Sequence, residues 1–362
     1  MNESKFTFPG FVDVHVHFRD PGVPEAETTA SGLAAAGRGG FAAVVTMPNT
    51  TPAIDSPGSV ESHRRLTDDG FRLLTSACIT KGRAGAEVAD LEALAEAGAA
   101  FFTDDGSYVA DDRVMEEAMN RIAALNMVVC QHAMDPAELK GGVIRDCALA
   151  RKLNLPVISV ATETKAIRRD LSLCRETGCR LHIQHISTAA GVALVRDAQR
   201  EGLPVTAEAT PHHLLLACDD LTVDDANFKM APPLGNREDR AELRKAVKDG
   251  VLMFATDHAP HPAAKKSLGF AQSANGIIGL EVAIPITYAV MVEEEGMPVE
   301  DWAKAWWEKP LDIIAPCALP NRILRPTTVV VGAERTVDVG SFASLSRNCP
   351  YDGLKFRCWP EK

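Results

Sequence analysis

The sequence predicts a (β/α)8 barrel of the TIM type, and three observations carry that expectation. Short apolar or β-branched runs alternate with longer stretches of helical periodicity, as repeated βα units require. Glycine closes several of the helical stretches, at Gly98, Gly178, Gly202 and Gly250, where a left-handed cap suits it. Histidines and carboxylates collect at the downstream ends of the apolar runs, the end at which barrel enzymes place their chemistry.

Taken in order, the expected strands are Phe11–Phe18, Ala42–Met47, Arg72–Ile79, Ala99–Phe102, Val128–Gln131, Arg180–Ile186, Pro204–Ala209 and Val251–Ala255. Helical patterns lie between them at Thr29–Gly37, Asp111–Leu125, Thr162–Thr177, Ala190–Glu201 and Arg237–Asp249. An open doubly wound sheet is the alternative, but no glycine-rich phosphate-binding turn follows an early strand. The βα rhythm stops near Asn321. Beyond it Val329–Val331 and Thr336–Val339 read as short strands and Arg347–Lys362 as an irregular cover. We therefore expect a barrel over 9–320 and a small, reduced C-terminal β appendage over 321–362 packed against it.

With 362 residues, 46% of them hydrophobic and 24% charged, the chain can bury one large core. A formal net charge of -11 argues against nucleic acid or an anionic membrane as the main partner. It does not exclude an anionic small substrate, because a local field can oppose the global one. No run of about 18 apolar residues is present to span a membrane. The opening Met1-Asn2-Glu3-Ser4-Lys5 lacks the apolar core of a signal peptide. Nine cysteines without a Cys-x-x-Cys pair read as reduced thiols, which points to a cytoplasmic protein. Cys130, two residues before His132, reads as a packed thiol.

The chemistry starts at Val12-Asp13-Val14-His15-Val16-His17. Side chains alternate across a strand, so two histidines at i and i+2 project from one face. Two imidazoles on one rigid strand make half of a metal site. The other half is available at the same rim: Asp104 follows the fourth run, His132 and His185 end the fifth and sixth, and Asp257 ends the eighth. Asn49 follows the second. By alternation His182 faces the surrounding helices, and His212, His213 and His258 read as structural or as supports behind the ligands.

Six segments now carry a resemblance: Pro9-Gly10-Phe11-Val12-Asp13-Val14-His15-Val16-His17-Phe18-Arg19-Asp20-Pro21-Gly22, Met47-Pro48-Asn49-Thr50-Thr51-Pro52, Phe102-Thr103-Asp104-Asp105-Gly106, His182-Ile183-Gln184-His185-Ile186-Ser187-Thr188, Thr210-Pro211-His212-His213-Leu214 and Ala255-Thr256-Asp257-His258-Ala259-Pro260-His261. In this order they resemble the dihydroorotases of the amidohydrolase superfamily. The resemblance implies that His15, His17, Asp104, His132, His185 and Asp257 hold one or two zinc ions, with Asp104 as the bridge. It implies that Arg19, Asn49 and His261 hold a substrate carboxylate, and that Asn275 and Gly276 contact a dihydropyrimidine ring. The implied reaction is the reversible hydrolysis of dihydroorotate to N-carbamoyl-L-aspartate in de novo pyrimidine synthesis. Asp257 would take a proton from water and return it to the leaving nitrogen. A homodimer and association with aspartate transcarbamoylase are further family expectations.

Hydantoinases and allantoinases, the rival cyclic amidases, bridge their metals with a carboxylated lysine near the fourth strand. No lysine lies between Lys81 and Lys140 here, so either an aspartate serves, as in one dihydroorotase branch, or the second metal is weak or absent. Asp105 could trade roles with Asp104 by spacing; the resemblance favours Asp104. Two departures stand out. Where relatives carry asparagine, this chain has Ala231, which forfeits a side-chain hydrogen bond worth roughly 1.5–3 kcal/mol, about 10- to 150-fold in binding. That keeps a weakly active, partner-binding scaffold as a second alternative. The chain also begins almost directly at the first barrel strand, so a reduced accessory layer or an incomplete N-terminus is expected.

Overall fold

The computed structural model describes residues 3–66, 70–321 and 324–361. Met1, Asn2 and Lys362, which belong to the expected terminal segments, lie outside the described residues. Parallel strands run Phe11–Val16, Phe41–Thr46 and Arg72–Thr75 in one sheet, and Val128–Gln131, Arg180–Ile183, Val205–Ala209 and Met253–Phe254 in a second. Single bridges join the two sheets into a ring. Phe102 pairs with Ala77 on one side and Val129 on the other, and Val16 pairs with His258 across the remaining seam. The expected fourth strand, Ala99–Phe102, is thus reduced to that one bridge. Three other strands end earlier than expected, at Val16, Thr75 and Ile183, while those ending at Gln131 and Ala209 stop where expected.

Strands covered on both faces read as continuous apolar runs, and Phe11–Val16 and Phe41–Thr46 are buried throughout. Alternate residues divide between two hydrophobic clusters. Val12, Val14, Ala43, Val45 and Leu74 pack inside the ring, closed below by Leu311, Ile313 and Ile314. Phe11, Val44, Leu73 and Leu181 face the outer helices. Those helices lie close to expectation, at Thr29–Arg38, Asp112–Ala124, Ala161–Thr177, Ala189–Arg200 and Arg237–Lys248. Thr28, Asp111, Thr188 and Asn236 cap their N-termini through side-chain oxygens. Gly178 adopts the left-handed conformation (φ 68°) that ends Ala161–Thr177, as expected of a glycine there.

The accessory layer differs from expectation. Thr327–Thr336 is one ten-residue strand with an irregularity between Val331 and Arg335, and Lys355–Pro360 is a strand within the segment expected to be irregular. Ser4–Phe8 joins them antiparallel, in the order Ser4–Phe8, Thr327–Thr336, Lys355–Pro360. Lys5 and Thr7 alternate with half-buried Phe6 and Phe8, a period-2 pattern too short to stand out in sequence. Among the described residues no helix is long and apolar enough to cross a membrane.

Candidate active site

The rim above the parallel strands encloses a cavity of about 290 Å³. Every residue expected at the site lines it except His15 and Asp104. His15 lies fully buried directly beneath. A larger groove of about 940 Å³, between Thr29–Arg38 and the antiparallel strands, holds none of the expected site residues.

Asp104 is a correction. Its Oδ1 accepts from the backbone N–H groups of Ile79 (2.8 Å) and Thr80 (3.1 Å), and its Oδ2 from the Thr80 hydroxyl. It therefore ties the exit of the third strand and turns away from the histidines. Asp105 faces them instead: its oxygens stand 3.3 Å from His15 Nε2, 3.4 Å from His17 Nε2, 3.6 Å from His132 Nδ1 and 3.7 Å from His185 Nε2. The Thr103 hydroxyl sets this turn by accepting from the Asp105 N–H (3.0 Å). Alternation could not choose between the two aspartates, because only Phe102 pairs in this region.

Asp257 Oδ1 lies 2.9 Å from His17 Nε2 and 3.5 Å from His15 Nε2. His132 Nδ1 and His185 Nε2 face each other at 2.8 Å. Both His185 (φ 33°) and Asp257 (φ 47°) sit in the left-handed region that costs an ordinary side chain of order 1–3 kcal/mol. That conformation lets His185 and its neighbour Gln184 both point inward, which a strand forbids. Gln184 Nε2 reaches His15 Nδ1 (3.3 Å) and its Oε1 accepts from Thr103 (3.0 Å). His182 also faces the interior rather than the helices, correcting the expectation from alternation. Its Nδ1 contacts Thr206 Oγ1 (2.8 Å) and its Nε2 lies 2.9 Å from Glu208 Oε2.

Glu208 is the functional residue that sequence reading missed. Its Oε1 holds His15 Nδ1 at 2.5 Å, so the opposite nitrogen of that ring is turned toward the cavity. The signal was present: a carboxylate in the middle of the buried run Val205–Ala209. Asn49 Oδ1 does the same for His17 Nδ1 at 3.0 Å.

The electrostatics suit cation binding. Burial disfavours charge on His15, yet Asp105, Glu208 and Asp257 outweigh it and raise its pKa well above the usual histidine value. The reciprocal effect, chiefly from His15, overcomes burial and holds Asp105 and Asp257 well below the ordinary carboxylate range. Burial lowers the pKa of His17 and His132, which keeps a ring lone pair available. Two groups of three donors, His15/His17/Asp257 and His15/Asp105/His185, each bring their donor atoms within 4.8 Å of one another. His15 Nε2 and Asp105 Oδ1 are buried without a hydrogen-bond partner among the described residues. Unsatisfied imidazole nitrogen and carboxylate oxygen converging on one point fit a divalent metal such as zinc.

The opposite wall is positively charged. Arg19 Nε donates to the Pro260 carbonyl (3.1 Å), which aims the guanidinium along the cavity, and burial lowers its pKa only to about 10. His261 Nε2 lies 2.7 Å from the Asn275 carbonyl, and burial followed by the nearby Arg19 brings its pKa to about 3. At neutral pH the charge on this wall therefore belongs to Arg19. His213 Nε2 meets the Pro232 carbonyl (3.2 Å) and His258 Nε2 meets Glu27 (3.2 Å), supporting roles like those expected.

The sequence profile described as "Dihydro-orotase-like" matches residues 4–190. A dihydroorotase from Geobacillus sp. (strain WCH70) is 40% identical over 365 residues, covering 99% of this chain and 85% of the relative. One from Listeria innocua is 40% identical over 366 residues, covering 98% and 85%. Among solved structures, an L-hydantoinase (dihydropyrimidinase) from Arthrobacter aurescens superposes with a TM-score of 0.81 at 24% identity, covering 98% of this chain and 83% of that one. A dihydroorotase from Saccharomyces cerevisiae in complex with 5-fluoroorotic acid superposes with a TM-score of 0.72 at 18% identity, covering 99% and 98%. At these identities the structural likenesses establish the barrel and no more.

Proposed function

This chain belongs to the dihydroorotase-like family, and from that premise we propose that its rim cavity hydrolyses the cyclic amide of dihydroorotate and, in reverse, closes N-carbamoyl-L-aspartate. The activity is that of a dihydroorotase, a hydrolase of cyclic amides in pyrimidine synthesis. The observation that carries the site reading is the pairing of a buried His/Asp cluster with Arg19 on the facing wall of one cavity. A substrate with a scissile amide at one end and a carboxylate at the other spans that arrangement.

His15, His17, His132, His185, Asp105 and Asp257 would hold the metal, with Asp105 in the place expected of Asp104. Zinc, when bound, supplies a water of pKa about 7 and polarises the amide carbonyl. The remaining chemistry belongs to the chain. Asp257, held ionised by His15 and His17, accepts the proton of the attacking water at Oδ2 and delivers it to the departing amide nitrogen. Arg19 presents a planar pair of donors to the carboxylate, fixing the ring so that the amide faces Asp257. Asn49, with its oxygen committed to His17, offers its amide N–H groups to the same carboxylate. His261, Asn275 and Gly276 shape the wall against the ring, and Ala231 lines it without contributing a donor.

The rival hydantoinase or allantoinase reading has less support, since no lysine lines the cavity among the described residues and Arg19 would have no carboxylate to meet. Zinc as the metal, a cytoplasmic location, a homodimer and a transcarbamoylase partner rest on the resemblance. The test is turnover of dihydroorotate, hydantoin and allantoin at matched concentrations, alongside metal content. We expect dihydroorotate to be preferred, chelation to abolish turnover and zinc to restore it. Full activity in stripped protein, or preference for hydantoin, contradicts the proposal.

A further inference from the structure

The C-terminal segment, expected from sequence to be an irregular cover, reaches into the wall of the cavity through one buried side chain. Asn348 Nδ2 donates to the Ala259 carbonyl (2.9 Å) and to the Gly276 carbonyl (3.0 Å), and its Oδ1 accepts from the His261 N–H (3.1 Å). Its own carbonyl accepts from the Ile278 N–H (3.0 Å). Ser346, two residues earlier, donates to the His261 carbonyl (3.0 Å). Every polar atom of the Asn348 side chain is thus spent on the backbone of the two loops that carry His261 and Asn275–Gly276.

The same turn is gripped from a second side. Lys266 Nζ donates to the carbonyls of Gly276 (2.9 Å), Ala274 (3.0 Å) and Lys229 (3.1 Å). The Gly276 carbonyl therefore receives both an amide and an ammonium, each buried or half-buried. Tolerance here is small: a Cβ on Gly276, whose φ is 149°, would stand 2.6 Å from the Ala259 carbonyl and 2.8 Å from the His261 ring. The two loops also meet directly, through the Ala259 N–H on the Ile277 carbonyl (3.0 Å) and His261 Nε2 on the Asn275 carbonyl (2.7 Å); without the Asn348 amide, the shape offered to the substrate ring is left to those bonds and to Lys266.

We propose that Asn348 is a positioning residue for substrate: the C-terminal segment completes the ring-facing wall, acting on binding and leaving the metal cluster untouched. This rests on the dihydroorotase reading of the cavity. None of its partners is among the histidines and aspartates of the cluster, so its loss separates the two walls. A hydrogen bond to substrate lost because its loop has shifted costs roughly 10- to 100-fold in binding.

The experiment uses the zinc-loaded full chain with Asn348→Ala. We expect KM for dihydroorotate to rise roughly 10- to 100-fold, with kcat within about threefold and zinc content as in the parent. Hydrogen exchange at the amides of His261 and Ile278 should quicken while that of His17 holds, a readout that needs no turnover and so survives failure of the activity assignment. Lower thermal stability with KM unchanged would mark a purely structural tie and overturn the proposal. Zinc loss in step with KM, or unchanged exchange at both loops, would also overturn it. Should Asn348→Ala fail to fold, Asn348→Asp, which keeps the acceptor for His261 and loses both donated bonds, is read by KM, zinc content and exchange at Ile278, with exchange at His261 expected to hold.

Discussion

The two walls of the cavity are made from different parts of the chain. The wall proposed to hold the metal stands on strand ends: His15 on the first barrel strand and His17 just past it, His132 and His185 just past two others, with Glu208 braced on a fourth. The substrate-facing wall is built from loops, with Ala259–His261 and Asn275–Gly276 pinned by Lys266 and by Asn348 from the far end of the sequence. Strands of a closed ring are mutually fixed and can hold strained residues such as His185 and Asp257 in place. Loops acquire comparable rigidity only from specific cross-links, which a single substitution removes. One wall should therefore fail in chemistry and the other in affinity.

The largest effect should come from Asp257→Asn, which removes the proposed proton carrier. We expect kcat to fall about 10²- to 10⁴-fold with KM for dihydroorotate little changed, measured by steady-state kinetics. On the other wall, Arg19→Lys retains the charge but not the planar pair of donors. KM should rise about 10- to 150-fold with zinc content unaltered; a fall in kcat alone would erase the distinction between the walls.

Glu208→Gln probes support behind the metal wall. Loss of the charged partner of His15 should weaken zinc affinity roughly 10- to 100-fold by competition with a chelator. The same variant has a pH signature in metal-free protein. Glu208 is buried, which opposes ionisation, but His15 outweighs this and its pKa falls from 4.5 to about 2. A depressed carboxylate stabilises the fold fully above its unfolded value and loses that contribution as pH drops through the folded value. The stability gap between parent and variant, about 2 kcal/mol near pH 6, should thus close between about pH 4.5 and 2. A gap that widens on acidification would contradict the ion pair. The smallest change is Ala231→Asn, which adds a donor to the substrate wall and should lower KM about tenfold at most.

What could be read from sequence follows the same division. Strand positions, His15 and His17 on one face, and the histidines at the rim were all legible because period-2 alternation and the barrel rule apply to them. Where the chain leaves the strand, alternation stops carrying information. Asp105 replaces Asp104 because a threonine-directed turn, not a strand, orients the pair. His182 faces inward although His185 does too, because His185 has left the extended conformation. Asn348 and Lys266 act on backbone carbonyls far away in sequence, and such contacts leave no local pattern. Glu208 alone was within reach, as a carboxylate isolated in an apolar strand.

The most direct test is the anomalous diffraction signal of a crystal grown with zinc. We expect density enclosed by His15, His17, His132, His185, Asp105 and Asp257, with Asp104 still bonded to Thr80. An ion held by Asp104, or a zinc-loaded and active enzyme with no metal at that cluster, would contradict the site described here.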